Sequence, residues 1–147
     1  MVYGLLAVVG AVILVPRLFG GADGQETTLF GQTSRGAEIS LIVADGELRS
    51  VQTSPAAWCP VQQVWIDWPW FARDGQPRVE FAHDDSRFVV EERESVEAPP
   101  FDTFAAVMRG ELGDDGSSAR GTIQARAVGG PDRCEGTTRF SVRQRTP

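Results

Sequence analysis

Lysine and asparagine are absent from this 147-residue chain, histidine and tyrosine occur once each, and there are only two cysteines. Without asparagine there is no acceptor for N-linked glycosylation. Without lysine the 14 basic residues are all arginine, a bias that a GC-rich genome explains more simply than selection for bidentate arginine contacts. The 20 acidic residues outnumber the arginines scattered among them, and the net charge of −6 argues against nucleic acid as a partner. Two cysteines and one histidine do not make a zinc ligand set, and neither a metal nor another cofactor is expected. Also missing are a phosphate-cradling glycine loop ahead of a helix, an HExxH helix and a nucleophile elbow.

What the chain does have is an opening run of 14 apolar or small residues, Val2 to Val15. A membrane span needs about 20 such residues. Counting through Leu18 and Phe19 approaches that length by including Pro16 and Arg17, whose guanidinium can snorkel to the headgroups. Residues 1–19 therefore read as a transmembrane anchor or as a signal segment, with an h-region from Leu5 to Val15 and small residues Gly20 and Ala22 at cleavage spacing. The second reading lacks a basic residue before the apolar run. A buried helix of the domain is disfavoured, because Gly20 to Gln25 reads as a flexible tether. Residues 20–27 are assigned to that tether and 28–147 to one extracytoplasmic β-domain, about 120 residues being the common size of a single core. The expected location is the cell membrane with the domain on its extracytoplasmic side, or secretion if the segment is cleaved.

Cys59 and Cys134 lie 75 residues apart with no further Cys and no clustered His, so one disulfide is the simple reading outside the cytoplasm. Closing a loop of that length stabilises a fold by roughly 4 kcal/mol in the chain-entropy model. A redox-active pair would favour closer spacing.

From Thr28 onward the apolar period is near two, with Gly-containing turns at short intervals. Eight strands are legible: 28–33, 38–44, 48–52, 79–83, 87–92, 104–112, 119–127 and 137–143. Asp45-Gly46 and Asp114-Asp115-Gly116 supply hairpin turns. In the seventh strand Ala119, Gly121, Ile123, Ala125 and Ala127 face inward, and in the last Phe140 and Val142 do. A one-residue slip would bury the interleaved arginines, so the register is well specified. The pattern predicts an all-β fold, an antiparallel β-sandwich or small barrel of seven or eight strands, preceded by the N-terminal hydrophobic helix. Pro99-Pro100 reads as a loop between two hairpin groups, and Glu91, Glu92, Glu94 and Glu97 as a solvated strand edge.

The order of these signals resembles a type of small secreted or membrane-tethered bacterial β-domain protein with one disulfide and uncharacterised function. The matching pieces are Gly31-Gln32-Thr33 with Gly36, Ile39 to Val43, Asp45-Gly46, Cys59, Gly110-Glu111-Leu112, Ala119 to Ile123, Cys134 and Phe140 to Arg143. The resemblance covers most of 31–143 and implies a disulfide-closed β-domain. It transfers no catalytic residue.

All four tryptophans, Trp58, Trp65, Trp68 and Trp70, fall within thirteen residues, followed by Phe71 and interrupted by Pro60 and Pro69. Alternation from Val64 puts tryptophan on both faces of this stretch, so one face can line a core while the other needs a neighbour. Trp58, Trp65, Trp68, Trp70 and Phe71 are thus the candidate contact residues, toward a protein, a glycan or a lipid headgroup layer. Pro69 and the turn at Asp74-Gly75 confine the stretch to an edge strand or a long loop.

His83 with Asp84, Asp85 and Ser86 makes no triad by adjacency, because a triad is a spatial arrangement, and His83 reads as a solvent-facing strand end. Carboxylate pairs such as Asp67 with Asp74, or Glu80 with Glu92, are numerous enough to arise by chance. The expectation is a non-catalytic domain, tethered to the membrane and acting through contacts with a membrane protein or complex as an accessory subunit. The alternative is a secreted glycan- or ligand-binding module using Trp58 to Phe71.

Overall fold

The structure, a computed structural model, describes residues 26–98 and 100–145. The anchor or signal segment at 1–19 and all but the end of the tether lie outside the described residues. Thr27, assigned to the tether, already opens the first strand.

The described residues form eleven strands: β1 (Thr27–Thr33), β2 (Glu38–Ala44), β3 (Glu47–Thr53), β4 (Ala56–Cys59), β5 (Val64–Asp67), β6 (Trp70–Arg73), β7 (Val79–Asp84), β8 (Arg87–Ala98), β9 (Phe101–Leu112), β10 (Ser118–Gly129) and β11 (Asp132–Gln144). All pairings are antiparallel, and nine strands follow the order β6-β3-β2-β1-β11-β10-β9-β8-β7. The sheet curls into a nearly closed barrel. No backbone ladder joins its two edge strands, β6 and β7. The Trp70 indole Nε1 instead donates to Glu92 Oε2 at 2.6 Å, and His83 Nε2 lies 3.2 Å from the Leu48 carbonyl oxygen, so side chains bridge the seam.

Alternation places the core. Leu29, Leu41, Leu48, Val51, Phe88, Val90, Met108, Ile123, Phe140 and Val142 point into the barrel and are buried, together with Trp70. The inward and outward sets read for β10 and β11 hold: Ala119, Ile123, Ala125 and Ala127 are buried, and Arg120, Gln124 and Arg126 are exposed. Asp45 and Gly46 both adopt positive φ, 55° and 75°, as a two-residue hairpin of the right twist requires. Gly116 does the same between β9 and β10, with φ of 72°.

Four expectations need correction. The stretch from Ala56 to Arg73 is not one element but three short strands, of which β5 and β6 are edges as expected and β4 is paired on both sides, with Pro60 and Pro69 falling between the strands, where no ladder N–H is needed. β8 and β9 pair from Arg87↔Glu111 to Ala98↔Phe101 as one long hairpin, so the expected division into two hairpin groups does not fall between them. The acidic run is not a uniform edge, because β8 is paired on both sides as far as Glu92. His83 is half-buried at the seam, turned toward Leu48 and away from water.

β9, β10 and β11 are long enough to project beyond the barrel, and the β4–β5 hairpin packs on this projection, joined to β11 at Trp58↔Glu135. A second, smaller core results, made of Ala57, Cys59, Trp68, Ala125, Ala127 and Cys134 with Ile66, Phe101 and Phe104 against it. The Cys59–Cys134 disulfide runs through this cluster and ties β4 to β11.

Candidate functional site

The five aromatic residues singled out in the sequence are split by the fold. Trp68 and Trp70 are core residues, 9% and 5% exposed. Trp68 stacks on Phe104 with ring centroids 4.6 Å apart, and Trp70 plugs the barrel seam. Neither is available to a partner in this conformation. Trp58, Trp65 and Phe71 remain at the surface, at 37%, 39% and 45%.

Trp58 and Trp65 sit directly opposite each other on the outer face of the β4–β5 hairpin, with centroids 5.7 Å apart. The Arg35 guanidinium lies 3.6 Å over the Trp65 ring. On its other side Trp65 reaches toward Gly136 of β11, where a Cβ would come within 3.0 Å of indole Cζ3 and would also meet the Ala56 carbonyl oxygen. Glycine there lets the hairpin sit close against β11. Val61 is 72% exposed at the hairpin tip, and Val64, opposite Cys59, is exposed on the other face. Two paired tryptophans left at the surface of one hairpin are the kind of feature that marks a contact site. Arg126 and Glu135, paired at 3.2 Å, lie on the neighbouring part of β10 and β11.

Phe71 belongs to a different surface. The registers align Arg143, Phe30, Ser40, Gln52 and Phe71 in one row across β11, β1, β2, β3 and β6. This row floors a shallow trough of about 950 Å³ also lined by Gln32, Glu38, Asp67 and Arg145. The two phenyl rings stand three strand spacings apart, roughly 14 Å. Arg145 lies 4.3 Å over Phe30, and Arg73 lies 5.1 Å from Phe71. Phe30 had not been singled out, although an apolar residue in step with polar Thr28 and Gln32 is the signal that reveals it.

The carboxylate pairs do not converge. Glu92 shares the inner face with its opposite number Val79, so Glu80, the next residue along β7, points the other way. Asp74 is held by Arg49 at 3.0 Å, outside the short hairpin that carries Asp67. Burial pushes the Glu92 carboxyl above its ordinary range; the Trp70 hydrogen bond works against this and nearby Glu94 adds to it. Asp85 lies in a tight turn at φ 54°, and the Ser86 hydroxyl is 3.5 Å from Glu111. Among the described residues no group of three or more His, Cys, Asp or Glu side chains is placed to hold a metal ion, and no helix is long and apolar enough to cross a membrane.

The arrangement therefore offers two surfaces: an aromatic hairpin stapled by a disulfide, and a mixed trough between two phenylalanines. Comparison with protein-family models, with curated proteins and with solved structures found no match to this chain.

Proposed function

We propose that this is a non-catalytic extracytoplasmic domain, joined to a membrane through its N-terminal apolar segment, that acts through protein contacts as an accessory subunit of a larger membrane assembly. The disulfide points to an oxidising compartment. The observation that carries the contact reading is the outward display of Trp58 and Trp65 side by side on one pinned hairpin, with Val61 exposed at its tip. Tryptophan is enriched among the residues that dominate protein interfaces, and a preordered hairpin loses little entropy on docking.

The test is a photoreactive amino acid at Val61 in native membranes, followed by gentle solubilisation and mass spectrometry of both the adduct and the chain's own N-terminus. One recurring protein adduct, on a chain retaining residues 2–19, supports the accessory subunit. A chain beginning near Asp23 with no protein adduct means a secreted domain and moves the trough to the front.

The trough supports the second reading, a glycan- or ligand-binding module. Its particular observation is the row in which Ser40 and Gln52 lie between two exposed phenyl rings, a pairing of stacking faces with hydrogen-bonding groups suited to a sugar chain. Phe71 is the exposed aromatic residue of the Trp58 to Phe71 stretch that this reading uses, and Asp67, Pro69 and Trp70 of the same stretch also line the trough.

A further inference from the structure

β5 pairs with β4 along one side and with no strand along the other among the described residues. In an antiparallel ladder alternate residues turn both backbone groups to the partner, so half of the N–H and C=O groups of Val64–Asp67 point outward from an open edge. The barrel's other edges differ, because β6 and β7 face one another across a seam bridged by Trp70–Glu92 and His83–Leu48. Edge strands are normally blunted by charge, proline or a bulge. Val64, Trp65 and Ile66 include none of these; Asp67 and Pro69 follow only at the end. The edge is also held in place. Cys59 lies opposite Val64 and is bonded to Cys134, while Trp65 is wedged between Arg35 and Gly136.

We infer that β5 receives an extended segment of a partner polypeptide as an added strand, with Trp65 and Asp67 along one face of the new pair and Val64 and Ile66 along the other. This rests on the protein-contact reading above and specifies how the contact is made. The occupant follows from the chemistry of the edge: donors and acceptors at strand spacing are matched by another extended backbone, and not by a lipid or a sugar. A second copy of this chain is a poorer match, since each copy has a net charge of −6 and would bring its own Asp67 to the same edge. The complementary segment alternates apolar residues and places a basic side chain near Asp67.

The experiment selects a displayed library of linear peptides against the full-length, oxidised chain in detergent, then remakes the best binder with single N-methyl groups at successive residues. Strand addition predicts that N-methylation weakens binding about tenfold at alternate residues and little at those between, the loss expected of one backbone hydrogen bond. It also predicts that alternate amides within 64–67 gain hydrogen-exchange protection on peptide binding. Binders that need Trp65 but show neither alternation overturn strand addition and leave the protein-contact reading standing. No binder at all, with position 61 still cross-linking to a protein, does the same. A concentration-dependent dimer in sedimentation that Ile66→Pro dissolves assigns the edge to a second copy and overturns the proposed occupant. Failure of both peptide binding and protein cross-linking removes the two readings together.

Discussion

At the scale of single residues, the same side chain does opposite work in this domain depending on the face it occupies. Trp68 and Trp70 are buried in the two cores, whereas Trp65 lies on the surface between an arginine and a glycine. Trp68→Ala is expected to cost about 3–5 kcal/mol of unfolding free energy, the range for truncating a buried aromatic. Trp65→Ala should cost less, about 1–3 kcal/mol, from the arginine contact and partial burial of a ring that is 39% exposed. Denaturant titration of the two variants separates them, and equal losses would mean that Trp65 is structural. Glu92 adds a pH dependence. Its folded pKa is raised, chiefly by burial, so the stability it contributes is present below its ordinary value near 4.5 and is lost as pH rises through the folded value. Glu92→Gln keeps an acceptor for the Trp70 indole and removes the titration. The melting temperature of the wild type relative to this variant should fall as pH rises from about 4.5 toward neutrality; parallel curves would show that the carboxylate is not penalised.

At the scale of elements, the β4–β5 hairpin is the part least able to hold its place alone. Two four-residue strands make one bridge to the main sheet, at Trp58↔Glu135, and an isolated hairpin of that size is marginal in water. The disulfide and the second core supply the rest. Replacing Cys59 and Cys134 by Ala should therefore lower stability by roughly 4 kcal/mol, from the lost constraint on a 75-residue separation. Hydrogen exchange should show the hairpin opening first. Unchanged denaturation midpoints on reduction would dissociate the bond from stability. Long strands were legible in the sequence because alternation persists over them and turn residues bound them: Asp45-Gly46 and Gly116 sit at positive φ as their turns demand. The short strands β4, β5 and β6 were not, since four residues carry too little periodicity and tryptophan fits either face. The pairing of β1 with β11 and of β3 with β6 joins strands that are not consecutive in the chain, which no local pattern encodes. His83 and Glu92 were read as facing water because a polar residue on a strand is assigned to the wet face. At a seam without a backbone ladder, polar side chains are what bridges it. For the candidate site, the aromatic density identified the right segment, but the division into core and surface depended on pairings with β11 and β3.

At the scale of the whole molecule, the domain has two unlike ends. β1 begins at Thr27 beside the β2–β3 turn, and the β7–β8 and β9–β10 turns lie at the same end, which brings Asp45, Asp114 and Asp115 around one shallow depression with Ser86, next to Asp84 and Asp85, on its rim. The Ser117 hydroxyl and amide both donate to Asp115 and hold its carboxyl below the usual range. β1 then runs about 20 Å to Thr33. Arg35, two residues on, covers Trp65, which places the aromatic hairpin toward the opposite end. On the proposed attachment to a membrane from the N-terminal side, these carboxylates would lie where β1 begins, and Trp58 and Trp65 would be directed away from that surface. Anionic headgroups would repel the first end and are distant from the second, which favours a protein over lipid as the hairpin's neighbour. The domain of residues 26–147 should accordingly fail to co-sediment with phosphatidylserine vesicles at about 0.1 M salt, where screening leaves only close contacts effective. Its tryptophan emission should be unchanged by them. Co-sedimentation with a blue shift that Trp65→Ala abolishes would turn the hairpin toward lipid and displace the partner protein.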